Sequence, residues 1–268
     1  MTHTTSALPY RVYAAPGTQG GKRVAVFPDA AGDLQQRAAE AGAPLSVFVE
    51  QLDDLGAHLR VFTPEHDKGE SDSAALAALS WLFGQGRIAD VASAWMKGQE
   101  FPAQLCGGEW LLLQGDVSVR AVPDSDFSSL DFTPSSVQIA QTRRPNLLLQ
   151  IGGLAELDAL QLDMDAVREV GEQTGTTGLI VYAQGAGRAD VAFRAFGPLK
   201  GFAEDAASSN MFACLVGALS VRGLLPENEP LVRGLQRMPG NPSRLSAQYA
   251  PQENGASSVW VGGKVVAL

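Results

Sequence analysis

Cysteine is scarce in this sequence: among its 268 residues, only Cys106 and Cys214 carry thiols. Two cysteines are too few for a disulfide scaffold, and they cannot by themselves build a tetrahedral metal site. The three histidines do not form a ligand spacing such as HxxxH. We therefore expect two reduced, buried thiols and no metal site.

Basic residues are outnumbered, with 20 Lys and Arg against 29 Asp and Glu, which gives a net charge of −9. An acidic surface repels phosphate groups, and no cluster of Lys and Arg with interleaved aromatic residues offsets this repulsion. We expect neither nucleic acid nor an anionic membrane as a partner. The sequence also lacks apolar runs of membrane-spanning length and a signal-peptide pattern, which predicts a cytoplasmic location.

Glycine and proline are abundant, at 29 and 15 residues, and they separate many short apolar segments. This spacing favours an α+β architecture rich in turns over a helical bundle. No GxGxxG motif follows an early strand, which argues against a dinucleotide-binding fold. Residues 88–97 fit either a helix or a strand, and we assign them to a helix. The other predicted helices cover residues 33–40, 73–83, 155–160, 163–173 and 209–222.

One short pattern occurs twice, half a chain length apart. Arg60-Val61-Phe62-Thr63-Pro64 precedes an acidic stretch and a helix of small residues, and Arg194-Ala195-Phe196-Gly197-Pro198 does the same. Such a repeat predicts two similar halves, over residues 1–125 and 126–268, with a ligand site between them. The last strand is free to pack on the first half.

Acidic and hydroxyl residues crowd the predicted N-terminus of each small-residue helix. The first N-terminus contains Ser71, Asp72 and Ser73, and the second contains Ser208, Ser209 and Asn210 after Asp205; these are ordinary helix-capping residue types. The N–H groups at a helix N-terminus also bind carboxylate or phosphate. Both interpretations stand, and the paired occurrence favours a shared ligand site.

Five segments in the right order resemble the PhzF-like isomerases of phenazine biosynthesis, which share the diaminopimelate epimerase fold. The resemblance covers nearly the whole chain. The segments are Val24-Ala25-Val26-Phe27 with Asp29, Leu59-Arg60-Val61-Phe62-Thr63-Pro64, Phe196-Gly197-Pro198 through Glu204-Asp205-Ala206-Ala207, Gln236 with Gly240-Asn241-Pro242-Ser243, and Val261-Gly262-Gly263.

The resemblance implies two pseudo-symmetric halves, each a rolled, mostly antiparallel β-sheet around a central helix. It also implies a homodimer without metal or organic cofactor. Members of this family shift protons on small amino- or hydroxy-carboxylic acids, with a glutamate from the first half, a histidine at the first helix N-terminus, and an aspartate and Gly-Ser backbone at the second.

The sequence departs from the family pattern at most of these positions. Leu45 stands where the family glutamate is expected, and leucine cannot accept a proton. Asp72 stands at the histidine position, and Ser209 and Asn210 replace the Gly-Ser pair. Only Asp205 is kept among the catalytic side chains.

Two functions remain open. An isomerase would use Asp72 and Asp205 as catalytic groups, with Glu50 or His66 as substitutes for the missing glutamate. Its carboxylate-binding residues would be Ser71, Ser73, Ser208, Ser209 and Asn210. A non-catalytic small-carboxylate binding protein is the alternative, because loss of a general base removes about 10² to 10⁴-fold in rate. A purely structural homodimer is a third, weaker interpretation.

Overall fold

The computed structural model describes residues 6–17, 19–185, 190–226 and 231–268. Within these residues the chain forms two compact units. The first comprises the described part of Met1–Ala14 together with Gly21–Leu113 and Gly262–Leu268, and the second comprises Ala15–Gly20 and Gln114–Val261. The two units thus meet along the chain between Leu113 and Gln114, within a strand.

The first unit is a sheet wrapped on helix α2. Its strands pair in the order β1–β2 antiparallel, β2–β3 parallel, β3–β4 antiparallel, β4–β5 parallel, and β5–β6 and β6–β7 antiparallel. The C-terminal strand β16 pairs with β1. The elements are β1 (Leu8–Val12), β2 (Lys22–Phe27), α1 (Leu34–Glu40), β3 (Ser46–Asp53), β4 (Gly56–Phe62), α2 (Asp72–Gly84), β5 (Val91–Met96), β6 (Gln99–Cys106), β7 (Glu109–Arg120) and β16 (Val265–Ala267).

The second unit repeats this pairing scheme around helix α5. Strands β8 and β9 are antiparallel, β9 and β10 parallel, β10 and β11 antiparallel, β11 and β13 parallel, and β13 and β14 antiparallel. The elements are β8 (Ser136–Gln141), β9 (Pro145–Gln150), α3 (Leu154–Ala159), α4 (Met164–Thr174), β10 (Gly178–Gln184), β11 (Val191–Gly197), β12 (Phe202–Asp205), α5 (Ser209–Val221), β13 (Val232–Gln236), β14 (Ser243–Gln252) and β15 (Gly255–Gly263).

The repeated sequence pattern occupies equivalent strands in the two units. Phe62 is the last residue of β4 and Phe196 lies one residue before the end of β11, and both strands lead to the central helix. Each phenylalanine ring also lies under the guanidinium of the arginine two residues before it. The structure therefore confirms the predicted α+β class with two similar halves.

The central helices are buried because small residues let the sheet approach them closely. Residues 73–79 of α2 are all buried, and so are residues 211–219 of α5. Gly217 makes room for Val117, since a Cβ at this glycine would lie 2.4 Å from Val117 Cγ1. Such apolar burial is the main source of stability for each unit.

The helix prediction for residues 88–97 is wrong, because Val91–Met96 forms β5. Alanine and methionine in this segment favour a helix locally. Parallel pairing with β4 and antiparallel pairing with β6 instead satisfy the backbone groups on both edges of the strand. Tertiary pairing thus overrides local propensity.

No helix in the described part of the chain is both long and apolar enough to cross a membrane.

Candidate functional site

The N-terminus of α5 is built by a capping serine and a buried glutamine. The extended Ser208 is the N-cap, and its Oγ accepts a hydrogen bond from the Met211 N–H at 3.4 Å. The Ser208 N–H donates to Gln236 Oε1 at 2.9 Å, and Gln236 Nε2 donates to the carbonyl oxygen of Asp205. The buried Gln236 side chain, at the end of β13, therefore fixes the backbone between β12 and α5.

Asp205 ends β12, directly before this helix. Its Oδ1 accepts a hydrogen bond from the Ala207 N–H at 3.1 Å, which sets the carboxylate against the turn. Residue 204 anchors the same strand: Glu204 forms a two-pronged ion pair with the buried Arg194, with distances of 2.8 Å and 2.7 Å. The carboxylate of Asp205 is thus held on a rigid strand end beside an electropositive helix terminus.

The side chain of Asn210 is engaged within the protein. Its Nδ2 donates to Thr142 Oγ1, and its Oδ1 accepts from Asn146 Nδ2 at 3.3 Å. Its backbone N–H, in contrast, has no acceptor among the described residues. Ser209, the first residue of the helix, is buried. An anion at this N-terminus would therefore meet backbone N–H groups rather than the Asn210 amide.

A polar cluster lies beside this terminus: the buried Asn146 and Cys214 and the half-buried Lys200. Asn146 Oδ1 accepts from Lys200 Nζ at 2.9 Å, and Asn146 Nδ2 donates to Cys214 Sγ at 3.3 Å. Burial raises the pKa of the Cys214 thiol to about 11, so the thiol stays protonated at neutral pH. Cys214 is therefore buried as expected, whereas Cys106 is only half-buried, so the expectation of two buried thiols is wrong for Cys106.

An open cleft lies next to the cluster within the second unit. It has a volume of about 520 Å³, and Thr142 is one of its lining residues. Thr142 is also the residue that contacts Asn210. The polar lining residues are Asp116, Ser118, Gln141, Thr142, Gln252, Glu253 and Asn254.

The N-terminus of α2, in the first unit, is less elaborate. Ser71 is the N-cap, but its side chain makes no capping hydrogen bond; its Oγ lies 3.1 Å from the Oγ of the buried Ser73. The Ser71 N–H contacts Met96 Sδ at 3.5 Å. Asp72 is the first helical residue, where a negative charge interacts favourably with the helix dipole. The N–H groups of Ser73 and Ala74 have no acceptor among the described residues.

Leu45 and the two candidates for replacing the family glutamate lie in different settings within the first unit. Leu45 is a buried apolar residue, and its carbonyl accepts from the Ala25 N–H. Glu50 is about half exposed and lies 3.9 Å from Arg60. His66 is exposed in the loop before α2, where its Nδ1 lies 3.1 Å from Thr63 Oγ1.

Sequence reasoning did not single out the side chains that organise the α5 N-terminus. Asn146 and Lys200 belong to no motif. Gln236 belongs only to one of the segments that resemble the PhzF-like isomerases. A polar residue inside an apolar strand, as Asn146 is in β9, is the one local signal that could have been used.

Among the described residues, no group of three His, Cys, Asp or Glu side chains could hold a metal ion.

Comparison with known proteins identifies the architecture. No protein-family model and no curated protein matches this sequence. Among solved structures, the PhzF-family phenazine biosynthesis protein of Bacillus anthracis is similar over 100% of this chain and 98% of its own, with a TM-score of 0.78 and 12% identity.

Two further structures give the same result. A PhzF-family phenazine biosynthesis protein of Enterococcus faecalis covers 98% of this chain and 97% of its own, with a TM-score of 0.74 and 19% identity. A predicted epimerase of Pseudomonas aeruginosa covers the same shares, with a TM-score of 0.69 and 22% identity. The chain therefore has the fold of the PhzF-like proteins over its full length.

Proposed function

We propose that this chain is an isomerase-type enzyme that moves a proton on a small amino- or hydroxy-carboxylic acid. The observation that carries the proposal is the α5 N-terminus, where Asp205 stands beside an electropositive helix end with an unused N–H at Asn210. A substrate carboxylate would accept from that N–H. Asp205 would then lie within reach of the adjoining carbon and would serve in proton transfer.

The fold supports an isomerase, since it is shared with PhzF-family proteins and with a protein described as a predicted epimerase. Support from the residues is narrower: Asp205 alone matches the family pattern. Ser208 and Gln236 hold the backbone around it, so their expected role is to position the site. Asp72, Ser71 and Ser73, in the first unit, remain predicted site residues.

A small-carboxylate binding protein without turnover is the second candidate function. It is favoured by Leu45, whose buried apolar side chain cannot act as a base. In that case the α5 N-terminus would still bind the acid, but the protein would not catalyse proton transfer, because a shared fold does not imply a shared activity. The two functions differ in one measurable property, which is proton exchange at the substrate carbon.

The test is incorporation of solvent deuterium at the α-carbon of a panel of amino and hydroxy acids. We expect the wild-type protein to exchange at least one acid, and Asp205→Asn to reduce the rate by about 10² to 10⁴-fold because a positioned acid or base is lost. Asp124→Asn is the matched control, since Asp124 is an exposed aspartate in the same unit.

The outcomes separate the candidates. Exchange that survives in Asp205→Asn at the wild-type rate contradicts the proposed role of Asp205. An absence of exchange, combined with a rise in melting temperature when an acid is added, favours the binding protein, because a ligand of the folded state stabilises it. Asp72→Asn, with the exposed Asp54 as its control position, tests the prediction for the first unit.

A further inference from the structure

Lys200 occupies an unusual position for a lysine. It ends the short 3₁₀ turn Pro198–Lys200 between β11 and β12, and it is half-buried. Its Nζ donates to Asn146 Oδ1 at 2.9 Å, and it forms no ion pair with any described carboxylate. A half-buried ammonium without a carboxylate partner loses part of its hydration, which disfavours the charged form.

Asn146 is held by contacts at both ends of its side-chain amide. It is fully buried, and its Nδ2 faces the Arg144 carbonyl at 3.0 Å, Asn210 Oδ1 at 3.3 Å and Cys214 Sγ at 3.3 Å. Its Oδ1 accepts from Lys200 Nζ. One amide thus joins the Lys200 amine to Asn210, the second residue of α5.

Gly178 provides the space for the amine. A Cβ at this position would lie 2.7 Å from Lys200 Nζ, 2.5 Å from Asn146 Oδ1 and 2.4 Å from Met211 Cε. Met211 belongs to the first turn of α5, so the lysine amine lies beside the start of that helix. A cation is disfavoured there, because the N-terminus of a helix is its positive end.

Loss of hydration favours the neutral amine. The pKa of Lys200 is lowered to about 8, mainly by burial and in smaller part by the Arg144 guanidinium, whereas Cys214 and the Asp205 carboxylate act in the opposite direction. An ordinary lysine has a pKa of about 10.4 and is almost wholly protonated at pH 8, where about half of Lys200 is neutral. The same interactions show that Lys200 and Asp205 lie within electrostatic range of each other.

We propose that Lys200 is a catalytic base of the isomerase reaction, a role that rests on the proposed function of the α5 N-terminus. The lone pair of its neutral Nζ takes the proton from the α-carbon of the bound acid. The C–H bond breaks, its electron pair stays on the substrate as a delocalised anion, and Nζ becomes an ammonium. The ammonium then returns the proton to the substrate, so that no oxidant, reductant or cofactor is consumed.

The test measures deuterium exchange by the intact protein from pH 6 to pH 10. We expect the wild-type rate to rise with pH and level off with a midpoint near pH 8. Lys200→Gln and Lys200→Arg should each lose about 10²-fold or more, since neither side chain supplies a neutral amine. Lys264→Gln, at an exposed lysine, is the control and should match the wild type.

A second variant separates a base from a merely structural lysine. Asn146→Asp places a carboxylate against Nζ and stabilises the ammonium, so the midpoint of the pH profile should move to higher pH. A profile whose midpoint stays in place in Asn146→Asp overturns the proposal. This measurement decides the question even if the Lys200 variants fail to fold, which circular dichroism would reveal.

The remaining outcomes distinguish this proposal from the function on which it rests. Exchange that is lost in Asp205→Asn but unchanged in Lys200→Gln and Lys200→Arg overturns the role of Lys200 and leaves the isomerase standing. Exchange that is absent from the wild-type protein with every acid of the panel overturns both.

Discussion

The N-termini of α2 and α5 come from equivalent places in a duplicated fold, yet they are built differently. At α5, side chains from the β8–β9 turn, β9 and β13 and from residue 200 hold the helix start and the strand before it. At α2, the N-cap Ser71 makes no capping bond, and one contact to Met96 Sδ supports its backbone. The second terminus is therefore held by side chains that lie far apart in the chain, as a preorganised reaction site requires.

The arginines of the repeated pattern show the same divergence. The side chain of Arg194 is 6% exposed and pairs with Glu204, whereas that of Arg60 is 42% exposed and pairs with Asp67. Arg194 also donates to the carbonyl of Leu160 at 2.6 Å. The arginine of the second copy is thus a buried support for β12, whereas the arginine of the first copy lies on the surface.

The largest expected effect contrasts these two ion pairs. Glu204→Ala leaves the Arg194 guanidinium buried without its partner and should lower the free energy of unfolding by about 3–5 kcal/mol. Asp67→Ala, at the exposed pair, should lower it by no more than about 1 kcal/mol. Chemical denaturation of both variants measures the difference. Equal losses would contradict the divergence of the two copies.

The next effect is the pH dependence of stability due to Lys200. Its folded pKa of about 8 lies below the ordinary value of 10.5, so the unfolded chain binds more protons between these values. The contribution of Lys200 to stability therefore rises from about pH 8 to pH 10.5. Lys200→Met should be more stable than the wild type at pH 7, by at most about 3 kcal/mol, with the gap closing as pH increases.

Denaturation curves of both proteins at pH 7, 8 and 9 check this prediction, because the difference between them cancels the other titrating groups. The corresponding change at the exposed Lys264 of the first unit should leave the pH dependence as it is. A constant gap between wild type and Lys200→Met would show that Lys200 titrates as an ordinary lysine.

Gln236 should have an intermediate effect. Gln236→Leu leaves the Ser208 N–H and the Asp205 carbonyl without their partner, and each buried unsatisfied group costs about 1–3 kcal/mol. At the α2 terminus, Met96→Leu conserves volume and removes only a weak sulfur contact, so it should cost less than about 1.5 kcal/mol. Unfolding free energies check both values. Gln236→Leu should also weaken any acid-induced rise in melting temperature.

The smallest effect compares the two N-caps. Ser208→Ala removes a capping bond to Met211 and should cost about 1 kcal/mol. Ser71→Ala removes no capping bond, and we expect its cost to be smaller. Melting temperatures of the two variants measure this contrast, and a larger loss for Ser71→Ala would show that the α2 terminus depends on its serine after all.

Much of the fold was readable from sequence because its signals are local. The helix predicted over residues 33–40 forms as α1, and its N-cap is Asp33, whose Oδ1 accepts from the Gln36 N–H. The two small-residue helices lie within one residue of their predicted bounds. The prediction for residues 88–97 was wrong because a short segment of alanine, serine and methionine takes its conformation from the strands on either side of it.

The sequence by itself determined the duplicated order of strands and helices, the buried character of α2 and α5, and the position of Asp205 directly before the second helix. Periodicity, small-residue runs and capping residues act over a few positions, so they can be read along the chain. Only the tertiary structure decided the setting of Asp205, because Asn146 and Lys200 are 54 positions apart, and Ser208 and Gln236 are 28 apart. Such residues meet through strand pairing around a helix, and burial then alters the protonation of Lys200 in a way that no local pattern encodes.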